Sequence, residues 1–335
     1  MNRQKLTLPE PPSVLKAIRA GFDTITRHLI LLLFPVGLDL FLWFGPRLRI
    51  KQQIESLVAE FSALYAANST ELGEMLAAGE DFWRAAAERL NILVALRSYP
   101  VGVFSLLSSI YPLKHPLGSP AFVEIPSIWT ALLLTLVMIV LGICLGAFYF
   151  SAVSQAVVHD QLHWGKVFKK WPRNTFQSLL LSGIWLGLFL VVAVLGSCMI
   201  SGLTLIGPAL GQMAVFVLGV MYTWMLFPLF FSPHGIFSGR LNAWKSVVES
   251  IKLTNLTFMK TGLFILFAVL VTQGLSMIWQ TPPEDSWLLM VSIFGHSFVS
   301  TGVLAASFVY YQKIVYWVEE IQSIQEITFN GEDVT

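Results

Sequence analysis

The sequence predicts an all-α protein, a polytopic transmembrane helix bundle of six spans with interfacial amphipathic helices and a small helical extracytoplasmic insertion. Three observations predict this fold class. Hydrophobic residues make up 55% of the chain, charged residues only 12%, and the mean hydropathy is +0.69. Long apolar runs recur along the chain, and basic residues are concentrated in only some of the segments between them. Since charged residues are about a quarter of a typical soluble protein, lipid is the expected solvent for most of this chain.

Residues 1–28 are predicted to form a cytoplasmic tail and an amphipathic helix. Ser13 is a candidate N-cap, because its hydroxyl can accept a hydrogen bond from the first helical turn. From position 14 onward, apolar residues share one helical face, and Lys16 and Arg19 lie away from it. The apolar run 29–46 follows directly. No small-residue cleavage site comes after it, so we expect a retained first span rather than a signal peptide.

Residues 47–126 are less apolar and hold the largest group of acidic residues, which predicts a helical insertion outside the membrane. Two apolar stripes at helical spacing predict two amphipathic helices. The first stripe is Ile50, Ile54, Leu57, Val58, Phe61 and Leu64, and the second is Phe82, Trp83, Ala86, Leu90 and Leu93. The apolar run 99–113 is shorter than the ~20 residues that cross a bilayer, so an interfacial or re-entrant segment is expected there.

Residues 127–311 are predicted to form a five-span bundle with amphipathic cytoplasmic connectors, and 312–335 a cytoplasmic helix and tail. The five spans are 128–156, 178–206, 209–231, 262–279 and 287–311. Basic residues are concentrated in the connectors 161–177 and 232–261 and are missing from 206–208 and 280–286. By the positive-inside rule both termini are cytoplasmic, although Arg47, Arg49 and Lys51 run against it. The expected location is a bacterial plasma (inner) membrane.

Two patterns predict how the helices are arranged. An in-plane amphipathic helix that leads into a span is expected at 14–43, 164–192 and 240–280. On the third of these helices Leu241, Trp244, Val248 and Ile251 share the apolar face. Pairs of small residues four apart let helix backbones approach each other closely. These pairs are Gly142 with Gly146, Gly183 with Gly187, and Gly207 with Gly211.

Polar residues inside the predicted spans are the first candidates for a functional site. Asp39 and His296 lie ~10 Å and ~13 Å from the same side of the membrane at 1.5 Å per residue. An ionised carboxylate in lipid is costly and therefore needs a partner or a water-filled cavity. The two residues could form a proton or ion relay, or Asp39 could make a purely structural hydrogen bond. Gln155 and Gln273 are expected to make interhelical hydrogen bonds rather than to line a pathway.

Two further sets of residues are candidates for binding at the cytoplasmic surface. His159 and His163 have a spacing that can bind zinc from one helix face, with His234 as a third ligand, but interfacial histidines are common. We assign neither a metal site nor a cofactor on this spacing. Basic residues on the amphipathic faces are expected to contact anionic lipid head groups. They are Lys16, Arg19, Lys166, Lys169, Lys170, Lys245 and Lys252.

One stretch carries a resemblance to a known family. Residues 231–239 read Phe-Ser-Pro-His-Gly-Ile-Phe-Ser-Gly and are followed by a spaced set of small and polar residues before the next span. That set is Ala243, Ser246, Ser250, Lys252 and Asn255. The pattern is similar to the repeated amphipathic entry of the membrane-domain superfamily attached to some glycerophosphodiester phosphodiesterases and found in many bacterial polytopic proteins. Weaker echoes lie near Ile18 and Phe168. The resemblance implies a membrane architecture and not a hydrolase, since the soluble catalytic domain has no counterpart in this sequence.

These features favour a multi-pass membrane protein that acts without catalysis, as a membrane-organising or assembly component. The main alternative is a small-solute or lipid transporter that uses Asp39 and His296. A third is a metal-dependent membrane enzyme, such as a hydrolase, that uses His159 and His163. The expected partners are the lipid bilayer, including anionic lipids, and another membrane protein. A nucleic-acid partner is not expected, because the net charge is only +1 and the basic residues are scattered.

Overall fold

Helical structure dominates the protein. The computed structural model describes residues 10–65, 70–239 and 241–332, without the side chains of 61, 64, 65, 70–78 and 325–332. About 80% of the chain is helical. Strand structure in the described ranges is limited to β1 (Arg47–Arg49) and β2 (Phe122–Glu124), which pair in parallel. The all-α prediction is therefore confirmed.

The helix starts follow local sequence signals. In chain order the helices are α1 (Val14–Arg27), α2 (Leu33–Phe44), α3 (Lys51–Tyr65), α4 (Thr70–Arg89), α5 (Leu107–Ile110), α6 (Ile128–His159), α7 (Trp164–Ile206), α8 (Pro208–Leu226), α9 (Ser232–Phe237), α10 (Ala243–Leu256), α11 (Phe258–Trp279) and α12 (Leu289–Glu332). Ser13 caps α1 as predicted, since its hydroxyl accepts a hydrogen bond from the Lys16 amide. Asn242 caps α10 in the same way through the Lys245 amide.

The long apolar helices confirm the membrane class. In the described part of the chain, five helical stretches are long and apolar enough to cross a membrane, and they are Ile128–His159, Trp164–Ile206, Pro208–Phe237, Phe258–Trp279 and Leu289–Ile324. A sixth candidate is the pair Val14–Arg27 and Leu29–Phe44, bent by 91° between them, the angle that an in-plane helix joined to a span requires. Only 11% of the most apolar part of α7 is buried, which suits a helix surrounded by lipid.

The predicted sequence of in-plane helix, break and span is wrong at 164–192. There α7 is one continuous helix of 43 residues that includes Pro172, and it would be ~65 Å long at 1.5 Å per residue. Proline removes one backbone donor, but the many other hydrogen bonds of so long a helix keep it continuous. At 240–280 the expected break is present, because Thr257 separates α10 from α11. The predicted last span and the predicted C-terminal helix form one helix, α12, which continues to Glu332.

The face of α10 that packs inward is not its most apolar face. Trp244 and Val248 are exposed, whereas Ser246 and Ser250 are buried. The Ser246 hydroxyl donates to the Ser232 carbonyl at 2.5 Å, and the Ser250 hydroxyl donates to the Pro228 carbonyl at 2.7 Å. Small side chains allow this close approach, and lipid can cover the apolar face. The residues that carry the family resemblance thus hold α10 against the preceding turn.

The described chain divides into two compact units. The first contains Met1–Leu29, Phe150–Val271 and Thr301–Thr335. Its core joins aromatic and aliphatic side chains of α1, α10, α11 and α12, together with Phe231. Phe264 and Tyr310 stack with ring centroids 4.7 Å apart. A methyl group at Gly21 would lie 2.3 Å from the backbone nitrogen of Ala306, so α1 and α12 approach at van der Waals distance.

The second unit contains Ile30–Tyr149 and Thr272–Ser300. It includes α3 and α4, and so the two predicted helices of the insertion are present. Their predicted apolar stripes are not fully buried, since Leu57, Phe82 and Trp83 are exposed. The side chains of Phe61 and Leu64, which belong to the first stripe, lie outside the described residues.

Ion pairs explain why basic residues follow the first span. Lys51 Nζ lies 3.1 Å from a Glu88 carboxylate oxygen, and Arg49 lies 3.8 Å from Glu124. Arg47 is buried, and burial lowers the pKa of its guanidinium, an effect that the negative charge of Glu284 opposes. The three residues that depart from the positive-inside rule therefore bind or face acidic groups of their own unit.

One of the three glycine pairs lies at a close backbone contact with residues 96–102, where a short 3-10 helix (Ile92–Leu96) ends. A methyl group at Gly142 would lie 2.2 Å from the Leu96 carbonyl oxygen, and one at Gly146 would lie 2.5 Å from the Gly102 Cα. Both glycines lie near the middle of α6, so the irregular segment after Leu96 reaches deep along this span. The other two pairs differ. Among the described residues, a methyl group at Gly183, Gly187 or Gly207 would meet no atom within 4 Å apart from adjoining backbone, and one at Gly211 would meet the Thr204 hydroxyl of the adjoining helix.

Candidate functional site

Asp39 binds the segment that was expected to be interfacial or re-entrant. Asp39 is fully buried, and its carboxylate accepts hydrogen bonds from the Ser105 hydroxyl at 2.5 Å, the Leu106 amide at 3.0 Å and the Leu107 amide at 3.1 Å. The two amides lie where α5 begins and would otherwise lack helical partners. A negative charge is favourable at that position. Asp39 therefore holds the segment 97–110 in place.

The segment 97–110 also makes hydrogen bonds within itself. The Ser105 hydroxyl oxygen accepts from the Ser108 amide at 3.0 Å, and Arg97 Nη1 donates to the Ser108 hydroxyl at 2.7 Å. The Ser98 hydroxyl donates to the Val101 carbonyl at 2.7 Å. Irregular backbone deep in a membrane protein is tolerated where its polar groups are satisfied inside the protein. The burial of Val101 and Val103 agrees with that condition, and the segment enters the protein rather than lying on its surface.

The structure does not join the predicted pair of Asp39 and His296. His296 Nε2 lies 3.3 Å from the Ser300 hydroxyl, one turn along the same helix. In the part of the chain that the structure describes, no hydrogen bond or ion pair connects the two residues. A similar depth along two helices does not bring two side chains together, because depth does not determine which way each helix face is turned. The alternative, a structural hydrogen bond of Asp39, is the arrangement found.

The zinc-binding geometry of one helix face is also not formed. α6 ends at His159, Asp160 has a left-handed φ of 51°, and α7 begins only after His163. The two histidines are therefore on either side of a turn. His234 is buried, and its Nε2 lies 2.7 Å from the Ser307 hydroxyl. Within the described ranges, no three His, Cys, Asp or Glu side chains are grouped closely enough to hold a metal ion.

The remaining candidates are the two glutamines of the predicted spans and the basic residues of the amphipathic faces. Gln155 Oε1 accepts a hydrogen bond from the His163 amide at 2.8 Å, so it holds the turn between α6 and α7. Gln273 is exposed on α11. Lys170 is half-buried, and the other basic residues expected to contact head groups are exposed. These exposed residues are Lys16, Arg19, Lys166, Lys169, Lys245 and Lys252.

A cavity of about 90 Å³ lies beside that turn, and we call it the lysine cavity. It is lined by α6 residues between Ser151 and His159, by α7 residues between Lys166 and Asn174, and by Phe237 with Ser238. Asn174 Nδ2 donates to the Ser151 hydroxyl at 2.9 Å, and the Ser154 and Ser238 hydroxyls are 3.2 Å apart. Sequence reasoning selected the lysines but not the serines or Asn174, because only the packing of α6, α7 and α9 brings them together.

Ser105 is the other functional residue that sequence reasoning missed. Ser105 stands directly before the apolar pair Leu106 and Leu107, and serine is common where a helix starts. Comparison of the chain with protein-family models, with curated proteins and with solved structures finds no match.

Proposed function

We propose that this protein is a non-enzymatic component of a bacterial inner membrane that organises the membrane or helps to assemble other membrane proteins. The observation that supports this most directly is the environment of Asp39. Its carboxylate is fully buried and accepts three hydrogen bonds from the segment 97–110. A carboxylate held in this way stabilises a fold, whereas a proton relay needs contact with water or with a second titratable group. The suggested kinship with the phosphodiesterase-associated membrane domains is part of the same proposal.

We also propose an orientation in which both termini and the lysine-bearing connectors face the cytoplasm and α3 and α4 face outward. This orientation is supported by the positive charge of the connectors, because 161–177 and 232–261 each contain four basic residues. In a background without Cys144 and Cys198, single cysteines at positions 169 and 245 should be protected from a membrane-impermeant maleimide in intact cells. A cysteine at position 81 should be labelled. Opposite accessibility of positions 169 and 245 would contradict the orientation.

Transport remains the second candidate, and one feature favours it. Irregular backbone beside the middle of a span, as at 97–106 against Gly142 and Gly146, is also found where transporters bind their substrates. The deciding measurement uses the purified full chain in proteoliposomes with an imposed proton gradient and a pH-sensitive dye inside.

We expect the proton gradient to decay at the same rate in liposomes that contain the wild type, in liposomes that contain Asp39→Asn and in empty liposomes. The physical reason is that the Asp39 carboxylate is fully buried and already accepts three hydrogen bonds from the segment 97–110. If the wild type collapses the gradient and a folded Asp39→Asn protein does not, transport replaces the present proposal. The third function, a metal-dependent enzyme, would need His159 and His163 to bind one ion from either side of the turn.

A further inference from the structure

The lysine cavity is lined by hydrogen-bond donors. Lys166 and Lys170 each carry three N–H donors and no acceptor. Gln155 uses its amide oxygen for the His163 amide, so its remaining polar group is the NH₂. In the Ser154–Ser238 pair, one hydroxyl donates to the other, which leaves one hydroxyl hydrogen for a further acceptor.

The charge of the cavity has one sign. Of the described residues that line it, two are lysines and none is acidic. The nearest acidic residue in sequence, Asp160, is directed to other partners, since it lies 3.1 Å from Arg27 Nη1 and 3.8 Å from His28 Nε2. A ligand for this cavity should therefore be an anion whose oxygens only accept hydrogen bonds.

The volume of the cavity and its position on α6 and α7 limit which anions it can bind. Its volume of about 90 Å³ exceeds several times the ~10–15 Å³ that holds one water molecule, so a small polyatomic anion fits. The cavity lies where α6 ends and α7 begins, which is the level of lipid head groups for helices that span a bilayer. Four of its polar side chains, Ser151, Ser154, Gln155 and Asn174, are buried, so the fold fixes the positions of these polar groups.

We propose that the lysine cavity binds a phosphate group, carried either by the head group of an anionic phospholipid or by a free phosphate compound. Lys166 and Lys170 supply the positive charge, and Gln155 with the serine pair supplies neutral donors to the remaining oxygens. This site is independent of the role of Asp39.

The test measures the affinity of the purified full chain, in a non-ionic detergent, for phosphatidic acid by native mass spectrometry. Phosphatidylcholine is the comparison lipid. Lys166→Gln with Lys170→Gln should weaken binding of phosphatidic acid by about tenfold or more, because two charge-assisted hydrogen bonds are lost. The matched control is Lys114→Gln with Lys260→Gln, two lysines that are not among those expected to contact head groups. It removes the same charge from exposed positions outside the cavity and should change the affinity less than about twofold.

A second variant tests the donors separately. Gln155→Glu keeps an acceptor for the His163 amide but replaces the NH₂ by a carboxylate oxygen, so it should also weaken binding by about tenfold or more through repulsion. In the wild type, phosphatidic acid should protect Lys166 and Lys170, but not Lys260, from acetylation. The protection experiment needs no folded variant.

The source of the phosphate is separated by competition. If millimolar inorganic phosphate displaces phosphatidic acid and protects the same two lysines, the ligand is a soluble phosphate compound. If it does neither, while the lipid binds and depends on Lys166 and Lys170, the ligand is a lipid head group. Equal losses in the cavity and control double variants, or unchanged binding in Gln155→Glu together with no protection of Lys166 and Lys170, would overturn the proposal.

Discussion

Asp39→Ala should lower the free energy of unfolding by about 3–5 kcal/mol, because each buried donor left without an acceptor costs about 1–3 kcal/mol. Three donors, the Ser105 hydroxyl and the amides of Leu106 and Leu107, lose their acceptor together. Denaturant unfolding of the full chain in detergent measures the change. Hydrogen exchange should show lost protection over 97–110 before any other region.

Two further variants test whether the loss of stability comes from the hydrogen bonds of Asp39. Asp39→Asn retains one acceptor oxygen and should lie between the wild type and Asp39→Ala. Gln273→Ala removes a polar side chain that is exposed on a span and should change stability by less than about 0.5 kcal/mol. If Asp39→Ala unfolds like Gln273→Ala and the segment 97–110 keeps its protection from hydrogen exchange, the hydrogen bonds of Asp39 do not stabilise the fold.

Gly142→Ala and Gly146→Ala should each destabilise the protein by about 1–3 kcal/mol or more, because the added methyl groups overpack a close contact. The atoms they would meet belong to backbone, at Leu96 and at Gly102, and backbone cannot turn aside as a flexible side chain can. The same unfolding assay in detergent measures both variants.

The second glycine pair provides a control with the same substitution. A methyl group at Gly183 or Gly187 would meet no atom of another described segment within 4 Å, and alanine is favoured over glycine in a helix by about 1 kcal/mol. Gly183→Ala and Gly187→Ala should therefore be neutral or slightly stabilising. Similar losses for both pairs would mean that the contact between the segment 97–110 and α6 does not govern stability.

The sequence predicted the amphipathic helix α10, but it did not predict which of its side chains pack against the protein. The period of α10 was evident from the sequence, yet Ser246 and Ser250 pack inward while Trp244 and Val248 are exposed. In water the apolar face would be buried. In lipid an apolar side chain gains nothing by leaving the solvent, so close packing and hydrogen bonds choose the face.

The spacing of two histidines in the sequence predicted a shared helix face, which the structure does not contain because a helix ends between them. His159 and His163 would share a face if one helix contained both, but α6 stops at His159. The left-handed Asp160 and its ion pair with Arg27 mark the turn, and Arg27 lies 133 residues earlier in the chain. A pattern of neighbouring residues cannot predict an ion-pair partner that lies so far away in the chain.

The sequence by itself determined the membrane class, the positions of the spans, the two insertion helices and the candidate polar residues, because apolar length and helical period are local properties of the chain. Only the tertiary structure decided the partner of Asp39, the glycine pair that packs against a neighbouring backbone, and the gathering of Lys166, Lys170, Gln155 and two serines around one cavity. Each of these depends on how helices are rotated and which neighbours they meet. That choice is made by packing between residues far apart in the chain, and neither depth nor period encodes it.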